Sequence, residues 1–299
     1  MSISHLFRLH QRCKEITRLG RGGPLKRAAA GCLASLTGWR IYLRYKLFRP
    51  ALPEPLSGEG ELVVSLASYP PRMRNLWMTV DTLFRQTRRP AAIFLALSES
   101  EFPGRALPAS LAPYLSRGLQ VLWTEGEDLK PHKKYFRVFR QESAAGHRLV
   151  VTVDDDVFYA PDTLERLLTL HAAHPAAVCA NYARRILPGA AYAAWPQVKA
   201  PEGPSEDLLA VGCGGVLYPP SVYGRERFFD VTRIRRDALL ADDLWLRYCE
   251  RAEGIGVITG SYCAIPPEIP SSQRVSLSSK NVDEGRNDRI WAALNKEVV

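Results

Sequence analysis

Short, continuously apolar runs alternate with longer amphipathic segments between residues 61 and 182. The runs have the length of strands, and the segments between them carry apolar residues at helical spacing. The pattern predicts strands over 61–69, 91–98, 119–124, 149–153 and 177–182, and helices over about 74–87, 107–117, 132–145 and 161–173. Strands that are apolar on both faces and separated by helices are typical of an α/β fold with a mostly parallel sheet flanked by helices.

The pattern changes on either side of this region. Residues 25–48 predict a helix, and the Pro- and Gly-rich segment 50–60 predicts a linker. After Ala183, glycine, proline and aromatic residues predominate, and the chain ends in an irregular tail with a short final helix. We therefore expect a helical arm and linker over residues 1–57, an α/β domain over 58–265 and a C-terminal tail over 266–299.

The positive charge is concentrated in the arm. The chain has 299 residues, enough for a sizeable core, and a net charge of +9, yet residues 1–50 carry +10 and the remainder −1. Aromatic and basic residues alternate from Trp39 to Phe48, which is typical of a helix at an anionic membrane surface. A helix packed on the domain fits the same sequence equally well. A nucleic-acid partner is not predicted, because its binding domain would carry the positive charge on the folded body.

Neither a membrane span nor a disulfide framework is predicted. The longest mostly apolar stretch, residues 28–39, is shorter than the ~20 residues that a bilayer requires. Six cysteines without a CxxC pair argue against a zinc site, and a chain of this length does not need disulfide bridges. The expectation is a cytoplasmic protein with reduced thiols, in peripheral contact with the inner face of the cell membrane if the arm binds lipid.

Three consecutive carboxylates, Asp154, Asp155 and Asp156, directly follow the predicted strand 149–153. Ligands bind at the carboxyl ends of the strands in such sheets, and clustered carboxylates repel one another unless a cation lies among them. Mg²⁺ and Mn²⁺ take oxygen ligands and leave positions open for phosphate oxygens. The triplet therefore predicts a divalent metal site. An acidic turn, followed by a helix that Asp162 caps, is the alternative.

Basic residues precede that strand in the segment DLKPHKKYF. Lys130, His132, Lys133 and Lys134 lie at the start of the helix predicted over 132–145. Cations and the N-terminal amides of a helix both favour phosphate. These residues are candidates for binding a diphosphate, and a solvated helix start is the alternative.

The segment SLASYPPRM forms the turn after the first predicted strand. It contains Ser65, Ser68, Tyr69 and Arg72, and its paired prolines predict a rigid turn at the carboxyl edge of the sheet. Tyr69 can stack on a base there, and Arg72 can bind base carbonyls or a phosphate. An ordinary connection between a strand and a helix is the alternative.

Two further motifs lie in the second half of the chain. Gly212, Gly214 and Gly215 permit close approach of the backbone to a ligand, although a glycine cluster alone is weak evidence. Asp242 and Asp243 begin the predicted helix ADDLWLRYCE, where acids are also favourable as helix caps. A carboxylate in this position can instead act as a general base that deprotonates an acceptor hydroxyl.

Taken together, these segments resemble the GT-A glycosyltransferases, in particular the large inverting family 2 that builds bacterial polysaccharides. The resemblance runs from about Glu61 to Cys249 and is carried by SLASYPPRM, LFRQT followed by RRPAAIFLAL, VTVDDDV, the glycine loop and ADDLW. It implies a Rossmann-like GT-A fold, a nucleotide-sugar donor such as a UDP-sugar, and Mn²⁺ or Mg²⁺. It also implies a glycan or lipid-linked acceptor in cell-surface polysaccharide synthesis.

The resemblance also implies roles for individual residues. Asp156 corresponds to the metal ligand, Asp154 to the carboxylate on the ribose or the metal's water shell, and Asp243 to the base. Asp155 falls among the donor-binding residues, with the turn and the lysines. Gly214 and Gly215 fall on the acceptor side.

The chain departs from the family pattern in three places. The base motif is usually Glu-Asp, and because it is Asp-Asp here, Asp242 is also a candidate base. A basic residue follows earlier than usual, at Arg247. The last histidine is His174, so a C-terminal metal ligand of the kind found in some GT-A enzymes would have to be Asn281, Asn287 or Asp288.

Two other classes of protein fit parts of the sequence. A nucleotidyltransferase that makes a sugar nucleotide uses a similar sheet and metal, but it normally has a Gly-rich basic loop after the first strand, and SLASYPPRM contains no glycine. A non-catalytic basic protein that binds membrane or nucleic acid would carry its charge on the folded domain rather than on the arm.

Overall fold

The computed structural model describes residues 2–18, 20–260, 265–270 and 285–296. Its α-helices are α1 (Ile3–Arg18), α2 (Pro24–Leu47), α3 (Met73–Phe84), α4 (Ala112–Leu115), α5 (Lys133–Gln141), α6 (Thr163–Ala173), α7 (Pro220–Tyr223), α8 (Val231–Arg233), α9 (Asp242–Ala252) and α10 (Arg286–Asn295). Its strands are β1 (Leu62–Ala67), β2 (Ala92–Ser98), β3 (Leu119–Thr124), β4 (Leu149–Val153), β5 (Val178–Ala180), β6 (Ala183–Arg185), β7 (Glu202–Ser205), β8 (Leu208–Ala210), β9 (Val216–Tyr218) and β10 (Val257–Thr259).

One large sheet organises the domain, with the strand order β3-β2-β1-β4-β9-β5-β10-β7. β1 pairs in parallel with β2 and β4, and β2 pairs in parallel with β3. β9 lies antiparallel between β4 and β5, and β7 lies antiparallel to β10 at the edge. The predicted fold class is confirmed as a Rossmann-like α/β fold whose large, mostly parallel sheet is flanked by helices.

The core lies on both faces of this sheet, because successive strand residues point to opposite faces. On β1, Val63 contacts the apolar cluster that includes Phe139 of α5, whereas Val64 contacts the cluster that includes Leu76 of α3. Both valines are completely buried. The carboxyl ends of β1 and β4 therefore lie at one edge of a rigid central layer, which is where ligands bind in such sheets.

Two predicted helices differ from the observed ones. The segment predicted as a helix over 107–117 is a 3₁₀ turn, Ala109–Leu111, followed by the short α4. Prolines at 108 and 113 lack the backbone N–H that a longer helix needs. The helix predicted over 132–145 ends at Gln141 and continues as a π turn, after which His147 has a left-handed backbone.

The N-terminal arm is a helical hairpin that packs against the domain. α1 contacts α2, and Tyr45 of α2 donates a hydrogen bond of 3.0 Å to Asp81 of α3. Tyr114 and Arg85 bind the same carboxylate, at 3.0 Å and 2.6 Å. Because Asp81 is completely buried, this cluster attaches the arm to the core. Of the two alternatives for the arm, packing on the domain is confirmed for the face of α2 that bears Tyr45.

Two smaller expectations concern thiols and membrane spans. The described cysteines, Cys13, Cys32, Cys179, Cys213 and Cys249, are free, and Cys263 lies outside the described residues. Within the described ranges, no helix combines the length and apolarity that crossing a bilayer requires.

We expect His10 to make the stability of the protein depend on pH. Its Nδ1–H donates to the carbonyl of Ala34 at 2.9 Å, and burial, aided by the charge of Lys14, lowers the pKa of His10 from 6.5 to about 4. The unfolded chain therefore takes up this proton first as the pH falls. We expect full stability above pH 6.5 and a loss of ~1.4 kcal/mol per pH unit between 6.5 and 4.

The measurement is the denaturation midpoint of the wild type and of His10→Gln between pH 7.5 and 5. The glutamine amide can still donate to Ala34 but does not titrate, so the variant should lose less stability on acidification. Equal pH slopes for the two proteins would contradict the assignment.

Candidate active site

A cavity of about 530 Å³ opens at the carboxyl ends of β1 and β4. Segments that are distant in sequence line it, among them Ser68, Tyr69, Arg72, Lys130, Lys133, Lys134, Asp154, Asp155, Asp156, Asp242 and Asp243. Most of the side chains that the sequence singled out therefore meet in one place. Its volume lies within the range usual for small-molecule sites, roughly 300–1,000 Å³.

Asp155 is held by contacts on every side. Its carboxylate accepts a hydrogen bond of 2.5 Å from Ser68 and pairs with Arg72 at 2.5 Å, and its carbonyl accepts one of 3.0 Å from Thr79 of α3. Burial raises the pKa of Asp155, and Arg72 opposes that rise. We infer that Asp155 fixes the conformation of the acidic loop, since both carboxylate oxygens already have partners.

Arg72 links the first turn to the triplet. Besides Asp155, it contacts the carboxylate of Asp156 at 3.2 Å, and its guanidinium lies 5.5 Å from the ring of Tyr69. Burial works against its charge, but the two carboxylates raise the pKa of Arg72. Arg72 was predicted to contact a base or a phosphate, and in this structure its partners are the acids beside it.

Lys134 bridges two acidic segments. Its ammonium lies 3.0 Å from Asp154 and 2.7 Å from Asp242, and its side chain is only 6% exposed. Burial opposes this charge, but Asp154, Asp242 and Asp243 together raise the pKa of Lys134 well above its ordinary value. The bridge brings the start of α9 next to the carboxyl end of β4.

The neighbouring lysines are paired as well. Lys133 contacts Asp128 at 2.7 Å and Glu101 at 3.0 Å with a side chain that is 3% exposed, and the more exposed Lys130 contacts Asp128 at 2.7 Å. A solvated helix start is therefore wrong for Lys133 and Lys134. Replacing Lys134 by alanine would leave the buried carboxylate of Asp242 without its cation, whereas Asp128 would keep Lys130 as a partner if Lys133 were replaced.

His132 is not part of the cavity wall. It is completely buried, its Nε2–H donates to the carbonyl of Ala238 at 2.9 Å, and its Nδ1 lies 3.0 Å from the hydroxyl of Tyr135. Burial lowers the pKa of His132. The prediction that it contacts phosphate is corrected, because both ring nitrogens have protein partners inside the core.

The paired acids of α9 differ in their electrostatics. Burial, followed by the charges of Asp242 and Asp154, raises the pKa of Asp243 to about 7, and the carboxylate accepts a hydrogen bond of 3.1 Å from the backbone N–H of Gly212. Burial is outweighed at Asp242, where Lys134 lowers the pKa. Asp242 is thus the charged partner of Lys134, and Asp243 is a carboxyl group that titrates near neutrality.

Gly212 is the glycine closest to this chemistry. A Cβ at this position would lie 2.7 Å from Lys134 Nζ, 3.1 Å from Asp243 Oδ1 and 3.3 Å from Asp154 Oδ1. The missing side chain therefore lets the backbone pass between the acids of β4 and those of α9. The side chains of Lys134, Asp154 and Asp243 therefore all approach the backbone of Gly212.

Gly214 and Gly215 support the loop from within and do not line the cavity. A Cβ at Gly214 would lie 2.7 Å from Tyr182, and Gly215 has a φ of 86° and approaches Leu167. Their predicted position on the acceptor side is corrected. They are needed for the path of the loop rather than for contact with a ligand.

Ser65 and the C-terminal candidates also lie away from the cavity. Ser65 is completely buried within β1, between β2 and β4, so its prediction as a donor-binding residue is corrected. Asp288 accepts a hydrogen bond of 2.5 Å from the backbone of Tyr192, and neither it nor the buried Asn287 lines the cavity. Asn281 lies outside the described residues.

Arg247, the basic residue that follows Asp243 in the sequence, is also away from the cavity. It is buried and paired with Glu250 at 2.8 Å.

Sequence reasoning missed several residues of the cavity wall. Glu101, Asp128 and Glu268 contribute further acids, and Cys213 lies between the glycines. Glu101 follows β2, the strand beside β1, and Asp128 follows β3, the next strand outward in the sheet. Acidic residues after adjacent parallel strands are a signal that could have identified them.

The donor set of the cavity fits a divalent ion. The metal site was predicted because clustered carboxylates repel one another, and the cations of Arg72 and Lys134 relieve part of that repulsion. Negative charge remains in excess, because these two cations face the five carboxylates of Asp154, Asp155, Asp156, Asp242 and Asp243. The raised pKa of Asp243 reflects this surplus of negative charge as well as burial. Asp154 is the most open member of the triplet, with a side chain that is 33% exposed.

The protein alone would supply few of the ligands. In the described part of the chain, no group of three or more His, Cys, Asp or Glu side chains is arranged to hold a metal ion. Asp154 and Asp156 would bind the ion, and phosphate oxygens and water would complete its shell, as is usual for Mg²⁺.

A second, smaller cavity of about 380 Å³ lies at the amino end of β1, beside Glu61 and Arg88. It contains none of the buried, interacting carboxylates that distinguish the larger cavity. We therefore assign the candidate active site to the cavity at the carboxyl ends of β1 and β4.

Comparison with known proteins adds a distant structural similarity. No protein-family model matches the chain, and no curated protein matches it either. Among solved structures, it is similar to the crystal structure of 4-diphosphocytidyl-2C-methyl-D-erythritol synthase, with 10% sequence identity and a TM-score of 0.43. The match covers 73% of this chain and 97% of the other. A similarity of this degree does not assign an activity, so function has to be argued from the site.

Proposed function

We propose that the protein is a metal-dependent, inverting glycosyltransferase. It would transfer a sugar from a nucleotide-sugar donor, such as a UDP-sugar, to a glycan or lipid-linked acceptor of cell-surface polysaccharide. The observation that supports this proposal is the meeting of two chemistries in one cavity. Oxygen ligands suited to a metal and its diphosphate lie at the end of β4, and a carboxyl group with a pKa of about 7 lies beside them, at the start of α9.

The donor side is formed by residues of fixed geometry. Asp154 and Asp156 would hold the ion, which when bound would neutralise the charge that develops on the leaving diphosphate. Ser68 and Arg72 keep Asp155, and with it the acidic loop, in one conformation. Tyr69 lines the same wall and would stack on the base of the nucleotide.

The acceptor side requires a base, and Asp243 has the properties of one. The acceptor hydroxyl attacks the anomeric carbon as the bond to the diphosphate oxygen breaks, and its proton passes to the Asp243 carboxylate. The bonding electrons leave with the diphosphate, and direct displacement inverts the anomeric configuration. A pKa of about 7, which a cation on Asp154 would lower, leaves an appreciable fraction of the carboxylate ready to accept a proton at neutral pH.

Nucleotidyl transfer to a sugar phosphate is the second candidate, since it also uses carboxylates to hold a metal. The turn after β1 argues against it. Pro70 and Pro71 begin this turn and have no backbone N–H, so the turn cannot surround a triphosphate with amides as a Gly-rich loop does. The two activities release different products and can be assayed side by side.

The deciding experiment is turnover of a panel of nucleotide sugars with Mn²⁺, with Mg²⁺ and with excess EDTA. We expect release of nucleoside diphosphate that depends on the metal, and a product of inverted configuration by NMR. A parallel reaction with nucleoside triphosphates and sugar 1-phosphates should release no pyrophosphate. Pyrophosphate release without sugar transfer would replace the proposal with its alternative.

Asp156→Ala tests the metal site. We expect the Mn²⁺ concentration for half-maximal activity to rise at least about tenfold. Even the loss of a group that only supports a metal ligand typically lowers metal affinity about 10–100-fold, and Asp156 is proposed as a ligand itself. Direct Mn²⁺ binding, followed by electron paramagnetic resonance, should weaken in parallel. The control is Asp162→Ala, which removes a partly exposed aspartate paired with Arg166. Full wild-type activity in excess EDTA would contradict the proposed metal dependence.

A further inference from the structure

Large exposed apolar side chains are concentrated on α2 and the residues just after it. In the described residues they are Leu25, Leu33, Leu36, Trp39, Leu43, Leu47, Phe48 and Leu52, with Leu187 as the one example elsewhere. Their exposed fractions reach 60% at Leu36 and 88% at Leu25. Isolated exposed leucines are common in proteins, but a contiguous apolar patch of this kind usually marks an interaction surface.

These side chains form one face of the helix. With about 100° between successive residues, Leu36, Trp39, Leu43 and Leu47 lie opposite the buried face that contains Ile41 and Tyr45. We call these four residues the outer face of α2. A helix that is apolar on opposite sides needs a partner for each side, and the residues that the structure describes cover only one of them.

The charged residues beside the outer face indicate the chemistry of its partner. Lys26, Arg40, Arg44 and Lys46 are exposed on the same helix. The sequence contains no Asp or Glu between Glu15 and Glu54. The complementary surface must therefore have an apolar interior and negative charge at its boundary. A second copy of this chain does not meet that description, because it would bring another arm with a charge of +10 into contact.

We infer that the outer face of α2 docks onto a membrane surface that contains anionic lipid. The leucines would enter the boundary between headgroups and acyl chains, and Trp39 would lie at headgroup depth, as aromatic residues do at membrane interfaces. The basic side chains would extend their long stems along the apolar layer and reach the lipid phosphates. This inference does not depend on the proposed function, because it concerns a surface outside the cavity.

The docked helix is continuous with the domain and not a flexible tether. Tyr45 binds Asp81 in the core, and at the end of α1 Arg18 binds Gln197 at 2.5 Å. Lys14 interacts electrostatically with Glu268, a residue of the cavity wall. A truncation at residue 59 would expose the surface around Asp81, so point substitutions on the outer face are the cleaner test.

The experiment is flotation of the full chain with vesicles of phosphatidylcholine alone or with 30% phosphatidylglycerol, at low and high salt. We expect binding to the anionic vesicles that salt weakens. Leu36→Gln/Leu43→Gln should reduce partitioning on the order of tenfold per leucine. Arg40→Gln/Arg44→Gln should reduce it about fivefold per cation. Leu187→Gln and Arg88→Gln are the matched controls, and circular dichroism should show all variants folded.

Trp39 supplies a second readout. Lipids brominated near the headgroup should quench part of the protein fluorescence, and Trp39→Phe should remove that part. Three outcomes would overturn the inference: no binding to anionic vesicles at low salt, equal binding by the leucine variant, or a self-association that this variant abolishes in the absence of vesicle binding. The last outcome would assign the outer face to a second copy of the chain.

Discussion

Asp243→Asn is expected to reduce acceptor turnover by about 10²–10⁴, the usual contribution of a positioned general base. The amide oxygen can still accept the hydrogen bond from Gly212, so the loop and donor binding should be retained. Wild-type activity should rise with pH and reach its plateau by about pH 7, because only the ionised form of Asp243 can take the acceptor's proton and a metal ion on Asp154 would lower the pKa of Asp243 from about 7. Steady-state kinetics against pH and calorimetry with the donor measure the two effects.

The same substitution should make the protein more stable. The folded-state pKa of Asp243 is raised from 3.8 to about 7, so folding is penalised once the unfolded carboxyl ionises. The penalty is absent below pH 3.8, grows as the pH rises and is complete above about 7, at ~1.4 kcal/mol per unit of pKa difference. The uncharged amide of the asparagine variant avoids it, so the melting temperature should increase at about pH 8 and be unchanged at about pH 3.5.

Asp242→Asn provides the contrast, because that residue is the charged partner of Lys134. It should lower stability, and the rise of activity with pH should move to lower pH, because the charge of Asp242 helps to raise the pKa of Asp243. If Asp242→Asn instead removes turnover while Asp243→Asn does not, the base is Asp242. If neither variant loses turnover, direct displacement with a base on α9 is wrong, and the product should show retained configuration.

Lys134→Met is expected to cost ~3–5 kcal/mol of stability, the usual effect of removing one member of a buried ion pair. The change keeps the length of the side chain but leaves Asp154 and Asp242 without their shared cation. Activity should need a higher pH as well, because Lys134 lowers the pKa of Asp243. Urea denaturation at pH 7 and the pH profile of turnover measure the two consequences.

Two further variants separate charge compensation from packing. Lys130→Met removes a lysine that is 43% exposed and should change stability by less than about 1 kcal/mol. Lys134→Met/Asp242→Asn removes both members of a pair and should recover about 1–3 kcal/mol relative to the sum of the single changes. Strict additivity would show that the two side chains do not interact in the folded protein.

Local pattern was sufficient to predict the sheet's first half. β3 and β4 have the predicted bounds, because each is a mostly apolar run bounded by polar or glycine residues. The position of β9 was not predictable in the same way. Its three residues, Val216–Tyr218, lie among glycines and prolines, and what places them between β4 and β5 is pairing with distant strands.

In the candidate site too, some features were predictable from local sequence and others depend on contacts between distant segments. The alternation of strands and helices was enough to predict that the turn after β1 and the acids after β4 lie at one edge of the sheet, because parallel strands end at the same edge. The partners of the lysines were not predictable, since Lys133 pairs with residues from two other loops and Lys134 pairs with α9. Spacing identified residue types suited to phosphate, whereas contacts between distant segments determine which of them are committed to ion pairs.

Two residues of α3, only two positions apart, bind the N-terminal arm and the acidic loop. Asp81 binds Tyr45 of the arm, and Thr79 binds the carbonyls of Asp155 and Val157 in the acidic loop. If both proposals hold, one short, rigid helix would join the element that docks onto the membrane to the catalytic loop. The height of the cavity above a bilayer would then be a constant of the fold rather than a property of a mobile tether. An enzyme held in this way would select its acceptors by length, because only a sugar terminus carried to that height would reach Asp243.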